Sequence, residues 1–232
     1  MTLRIRLLST LLLAAALPLR AQVVGHLPSE SPYTDALGRH VLSGYLGYLA
    51  SVNDPAGVGP QGGVLAAVVY DYDFPSAFFI TTRVGVAPSM ERAVLDPLFT
   101  GPQREFGTRR EALVVADFGL GASLTGEKAW KGIAPRVIAN VGYIGSSDPD
   151  YDIGQYRFGS KFTMSMGLNI RGVTGKRWEW RADLTRSFYR MNYPGTYLGG
   201  PATGGNAIVR GPSNPWTGQT FLSLGIARVW GY

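Results

Sequence analysis

The run SSDPDYD places Asp148, Asp150 and Asp152 at alternate positions, a spacing that suggests a divalent-cation loop. The glycine at position six and the distal glutamate of an EF-hand are both missing, so a plain polar turn is the better reading. Histidine occurs only as His26 and His40, so a histidine-based acyl-transfer site has no evident general base. Without cysteine or paired histidines there is no zinc set. GVTGKRW has the Gly-Lys of a phosphate loop but neither the earlier glycine nor the following Ser or Thr. GLGASL from Gly119 has two of three glycines, and its place inside an alternating run makes them spacers. No catalytic residue, metal or cofactor is therefore assigned.

One set of ionic residues does follow a pattern. Arg83, Asp117, Arg136, Lys161, Glu179, Arg181 and Asp183 each fall on the polar face of a segment whose other face is apolar. Ions brought together in a narrow space must pair, because an unpaired buried charge is costly. A structural salt-bridge network is the first reading, and a polar path for ions or small solutes the second.

Those residues sit on eight segments of period two, near 40–51, 62–74, 77–87, 111–124, 134–145, 156–171, 178–192 and 218–232. In YRFGSKFTMSMGLNIR, Tyr156, Phe158, Phe162, Met164, Met166, Leu168 and Ile170 alternate with Arg157, Lys161, Asn169, Arg171 and small residues. Short connections (DFPS, TGEKAWKG, GVTGKR) alternate with long ones, the rhythm of an up-and-down barrel with its long loops at one end.

The apolar faces could point inward, as in a soluble sandwich or lipocalin-like barrel, or outward into lipid. Three features favour lipid. Most segments reach the 9–11 residues that a tilted bilayer-crossing strand needs. The polar faces are short of side-chain volume, as a crowded eight-stranded lumen requires. Trp178, Trp180, Trp230 and Tyr232 gather at short-turn ends as an aromatic belt, and Tyr143, Tyr156, Phe188, Tyr193 and Trp216 suggest a second belt at the other end. Arg186 and Arg228 fall on the lipid face, so either Arg186 lies near the outer rim or a bulge shifts its phase.

The ends fit export. Arg4 and Arg6 precede the apolar run from Leu7 to Leu17 and the small residue Ala21, the layout of a secretory signal over 1–21. Its removal lowers the formal charge from +6 to +3, so the basic pI does not imply a nucleic-acid partner. Residues 22–39 read as a periplasmic lead, a disordered tail with a short helix capped by Ser31 or Thr34 as the alternative. Residues 40–232 form the barrel.

Together the signal, the alternating segments and the ending FLSLGIARVWGY resemble small bacterial outer-membrane β-barrels of the OmpA/OmpX-like kind. The resemblance implies an all-β, eight-stranded antiparallel up-and-down transmembrane β-barrel. It makes Leu224, Ile226, Trp230 and Tyr232 an assembly signal read by the barrel-assembly machinery. It further implies long loops outside the cell, periplasmic termini, contact with outer-membrane lipid and lipopolysaccharide, and a monomer. The expected role is structural or surface-interacting. A narrow solute channel and a lipid-modifying enzyme are the alternatives.

Overall fold

Period-two segments admit two solutions: apolar faces packed against one another, or a sheet closed on itself with its apolar face outward. The computed structural model, which describes residues 31–231 apart from 37, 175 and 176, takes the second. Ten strands follow in order: β1 (Tyr33–Asp35), β2 (His40–Leu49), β3 (Gly63–Asp73), β4 (Phe78–Leu95), β5 (Glu105–Ser123), β6 (Lys128–Trp130), β7 (Ile133–Ser146), β8 (Ser160–Gly172), β9 (Trp178–Arg190) and β10 (Trp216–Trp230). Eight of them pair antiparallel round a ring, β2-β3-β4-β5-β7-β8-β9-β10, and β10 returns to β2. The signal at 1–21, positions 22–30 of the lead and Tyr232 lie outside the described residues.

The pairing fixes the geometry. Starting at Asp73 and stepping across paired residues leads through Phe79, Gly121, Ile138, Gly167, Thr185, Phe221 and Leu49 back to β3 at Gly63. The return falls ten positions from the start, 73 to 63, which is the shear of the barrel. Eight strands with that shear tilt by roughly 40°. Side chains then sort by parity: outward Phe162, Met166 and Leu224 are each more than 60% exposed, while inward Lys161 and Arg181 are 6% and 1% exposed.

The structure departs from the period-two reading in three places. β4 and β5 run well past the expected ends at 87 and 111. Pro88 has no N–H for the ladder, and a bulge between Ala87 and Met90 lets pairing resume in the opposite phase, turning Met90 and Arg92 inward. β8 begins at Ser160, not 156: Gly159 has φ +60°, which breaks the strand and swings Tyr156 and Phe158 into the barrel. Tyr193, expected in the same upper belt as Tyr156, is buried too. The third departure is Tyr33–Asp35, which is neither tail nor helix but pairs with β6.

β6 lies in the connection from β5 to β7, on the opposite side of the ring from β2. The chain between Asp35 and His40 therefore crosses the short-turn mouth as a strap. Ala36 N–H donates to Glu127 O at 2.9 Å, and Arg39 N–H to Trp230 O at 3.1 Å.

Candidate functional site

The lumen gathers the largest set of buried ionic side chains among the described residues, and strand parity delivers them there from six strands. Arg83 and Asp117 are paired partners on β4 and β5, and Arg83 Nε donates to Asp117 Oδ2 at 3.0 Å. Across the lumen Arg83 Nη1 stands 3.7 Å from Asp183 Oδ1. Asn140 Nδ2 donates to the other Asp117 oxygen at 3.1 Å, and Thr185 Oγ1 donates to Asp183 at 2.7 Å.

A second string runs beside the first. Arg181 Nη1 pairs with Asp71, whose Oδ2 also accepts from Arg136 Nη1 at 3.2 Å. Arg136 Nη2 reaches Asp73 Oδ1 at 2.6 Å, and Arg171 Nη1 takes Asp73 Oδ2 at 2.7 Å. Arg171 ends the string in a two-point contact with Glu179, at 2.5 and 3.0 Å. Three arginines alternate with three carboxylates, so the string is neutral. Arg171 and Arg181 are directly paired like charges on β8 and β9, an arrangement that needs the interposed acids.

Six of the seven ions expected inside belong to these strings. Lys161 does not: it sits higher, 4.7 Å from the Phe158 ring centroid, with no carboxylate within 4.0 Å among the described residues. Conversely, Asp71, Asp73 and Arg171 hold the second string together, and sequence reasoning did not assign them. Arg171 shares parity with Lys161 and Asn169, which is the signal that could have found it. β3 carries apolar side chains on both faces, so the parity of Asp71 and Asp73 was not legible.

Above the ions the lumen changes character. Leu49, Leu65, Met90, Leu113, Ile144 and Phe221 point inward, and Tyr156, Tyr193 and Tyr197 descend from the long loops to close it. Their rings lie 5.9–6.2 Å apart at shallow angles. Tyr193 OH donates to Asp54 at 2.7 Å, tying the loop after β9 to the loop after β2. Burial pushes the phenols of Tyr156, Tyr193 and Tyr197 above their ordinary value, and Asp54 adds to the rise at Tyr193. The upper lumen thus mixes apolar and aromatic side chains with the buried ions Arg92, Glu111 and Lys161.

The alternating aspartates are engaged by arginine. Asp152 accepts from Arg92 Nη1 at 2.7 Å, and Asp148 from Arg109 Nη2 at 2.9 Å. Arg92, beyond the expected strand end at 87, is 1% exposed inside the barrel, with Nε 2.9 Å from Glu111. Outside, Trp178, Trp180 and Trp230 project from the short-turn ends of β9 and β10, Leu224 and Ile226 share the outward face of β10, and His40 stacks on Trp230.

Two of the spaces among the described residues bear on the lumen. One of about 30 Å³ lies among Tyr45, Asp71, Arg83, Asn140, Arg181 and Asp183, room for about one water. The other, about 420 Å³, opens at the short-turn mouth between the strap and Asp73, Arg136 and Arg171.

No protein-family model matches the chain, and no curated protein matches it. Solved structures do resemble it. The outer membrane protein OprG from Pseudomonas aeruginosa aligns over 88% of this chain and 100% of its own, with TM-score 0.52 and 10% identity. Neisserial surface protein A covers 86% of this chain and 98% of its own at TM-score 0.48 and 9% identity. A major outer membrane protein from Thermus thermophilus covers 81% and 98% at TM-score 0.41 and 15% identity. At 10% identity the OprG likeness speaks to fold alone, and that fold is the eight-stranded outer-membrane β-barrel.

Proposed function

We propose that this chain is an integral, non-enzymatic barrel of the bacterial outer membrane, closed to solutes, whose work is done by the surface at its long-loop end. In this reading residues 1–21 are cleaved on export, the barrel-assembly machinery reads β10, and the protein stands in the membrane as a monomer with periplasmic termini. The carrying observation is the filled lumen: two salt-bridge strings span it, the tyrosine cluster lies above them and the strap below. The β4–β5 hairpin runs nine residues past Val86, roughly 30 Å along the strand. It exposes Leu98, Phe99 and Phe106 at its tip beside Arg104. Exposed apolar side chains on a protruding element suit contact with another macromolecule.

Conductance of the purified barrel in planar bilayers tests the reading, with no discrete openings expected. Openings that disappear on cross-linking the strap would establish the second reading, a narrow channel, which the 420 Å³ mouth cavity favours. A mass change in lipid A on expression would replace both with an enzyme.

A further inference from the structure

Arg186 faces outward on β9, and neither of its pairings contains a register shift, so no bulge moves it from the lipid side. It lies eight residues above Trp178 in β9, roughly 26 Å along the strand and, at the barrel's tilt, roughly 20 Å up an apolar band about 25 Å tall. Arginine at that depth costs free energy unless it reaches upward to an anion. The side chain does reach upward. A Cβ on Gly218, which pairs with Phe188 two residues higher, would stand 3.0 Å from both Nε and Nη2 of Arg186. The guanidinium thus lies flat where position 218 has no side chain, and its Nη1 donates to Thr220 Oγ1 at 3.1 Å.

Arg190 continues the same face. Its guanidinium lies 5.1 Å from the ring centroid of Trp216, the residue two before Gly218. The two cations therefore lie beside successive outward positions of β10, 218 and 216, whose backbones are roughly 7 Å apart, close enough for one phosphate to serve both. Among the described residues neither arginine has a carboxylate within 4.0 Å. β8 and β10 contain no acid, Glu179 and Asp183 of β9 are buried inside the lumen, and positions 184–232 hold Arg186, Arg190, Arg210 and Arg228 with no Asp or Glu.

We infer that Arg186 and Arg190, on the shelf left by Gly218 and Thr220, bind the phosphate of a membrane lipid at the long-loop end, the phosphorylated glycolipid of the outer leaflet. This deepens the proposed membrane placement and rests on it for the choice of leaflet. Thr220 orients the first guanidinium, Phe188 and Trp216 flank the pair, and the lipid phosphate supplies the counter-charge that the protein lacks there.

Native mass spectrometry of the detergent-solubilised barrel with added lipid A tests the site. Wild type should retain one lipid A at a concentration where Arg186→Gln/Arg190→Gln retains at least tenfold less, while Arg228→Gln, at the opposite end, binds as wild type. Dephosphorylated lipid A should bind wild type no better than the double variant binds lipid A, and excess inorganic phosphate should compete only weakly. Equal retention by wild type and a double variant that keeps wild-type heat-modifiable gel mobility overturns the site, and so does equal binding of the dephosphorylated lipid. If the double variant does not fold, Gly218→Leu, which fills the shelf and leaves both charges, must show the same loss. The leaflet is tested separately, by labelling a single cysteine placed at the exposed Ser213 of the last long loop on intact cells: absence of label defeats the orientation without touching the binding result.

Discussion

Asp71 holds two arginines from different strands, Arg181 and Arg136, and is itself 2% exposed. Removing one partner from a buried ionic set leaves charges without compensation, which typically costs about 3–5 kcal/mol. Asp71→Ala is expected to lower the unfolding free energy by about that amount in denaturant titrations in detergent, and by more than Ser43→Ala, which removes only a small buried hydroxyl. The tyrosines of the upper closure give a pH dependence of definite sign. Burial favours each neutral phenol, so the folded protein keeps these protons to higher pH than the unfolded chain does. Their contribution is complete below the ordinary value of 10.0 and is lost as pH rises beyond it. Tyrosinate absorbance should therefore appear in two stages, exposed rings first. Tyr193→Phe, which removes the phenol that donates to Asp54, should reduce the amplitude of the second stage by one ring.

The strap is held to β6 by three residue pairs, few for a segment that closes a mouth. Asp35 and Lys128 face each other there. They form a non-hydrogen-bonded pair, because the neighbouring pair carries the bond from Ala36 N–H to Glu127 O. That geometry suits a disulfide, and the chain has no other cysteine to compete. Asp35→Cys/Lys128→Cys should oxidise to a cross-linked form with shifted mobility on a non-reducing gel, whereas a strap that spends its time undocked would leave free thiols. β8 shows the complementary case, where one backbone conformation decides the fate of a segment. Gly159 in the left-handed region converts what reads as a sixteen-residue lipid-facing strand into a strand of thirteen and a loop that fills the lumen.

Closure shapes the molecule as a whole. A ring of eight paired strands has no free edge, which removes the usual route to strand-mediated association. It also sorts charge: Asp71, Asp117, Glu179 and Asp183 go inside with the arginines that pair with them, while the acid-free C-terminal stretch leaves its arginines outside or in loops. Three obstructions in series explain why no conductance is expected. Disturbing the tyrosine closure alone should not open a current, because the salt-bridge strings below still occupy the bore.

Much of this was already legible in the amino-acid order. Period-two alternation is local and survives without any knowledge of partners, so the eight strands, their order and the inward direction of Arg83, Asp117, Arg136, Lys161, Glu179, Arg181 and Asp183 could be read directly. The pairings could not, because which carboxylate meets which arginine depends on shear, a property of the closed ring. Asp71 therefore joins Arg181 across the lumen, 110 positions away in the chain. The upper closure was equally hidden: Tyr156, Tyr193 and Tyr197 have the composition of a lipid belt, and only the turn at Gly159 and the fold of the last long loop direct them inward. Parity assigns a face to each side chain of a regular strand; closure assigns its neighbours, and where the strand breaks, its surroundings as well.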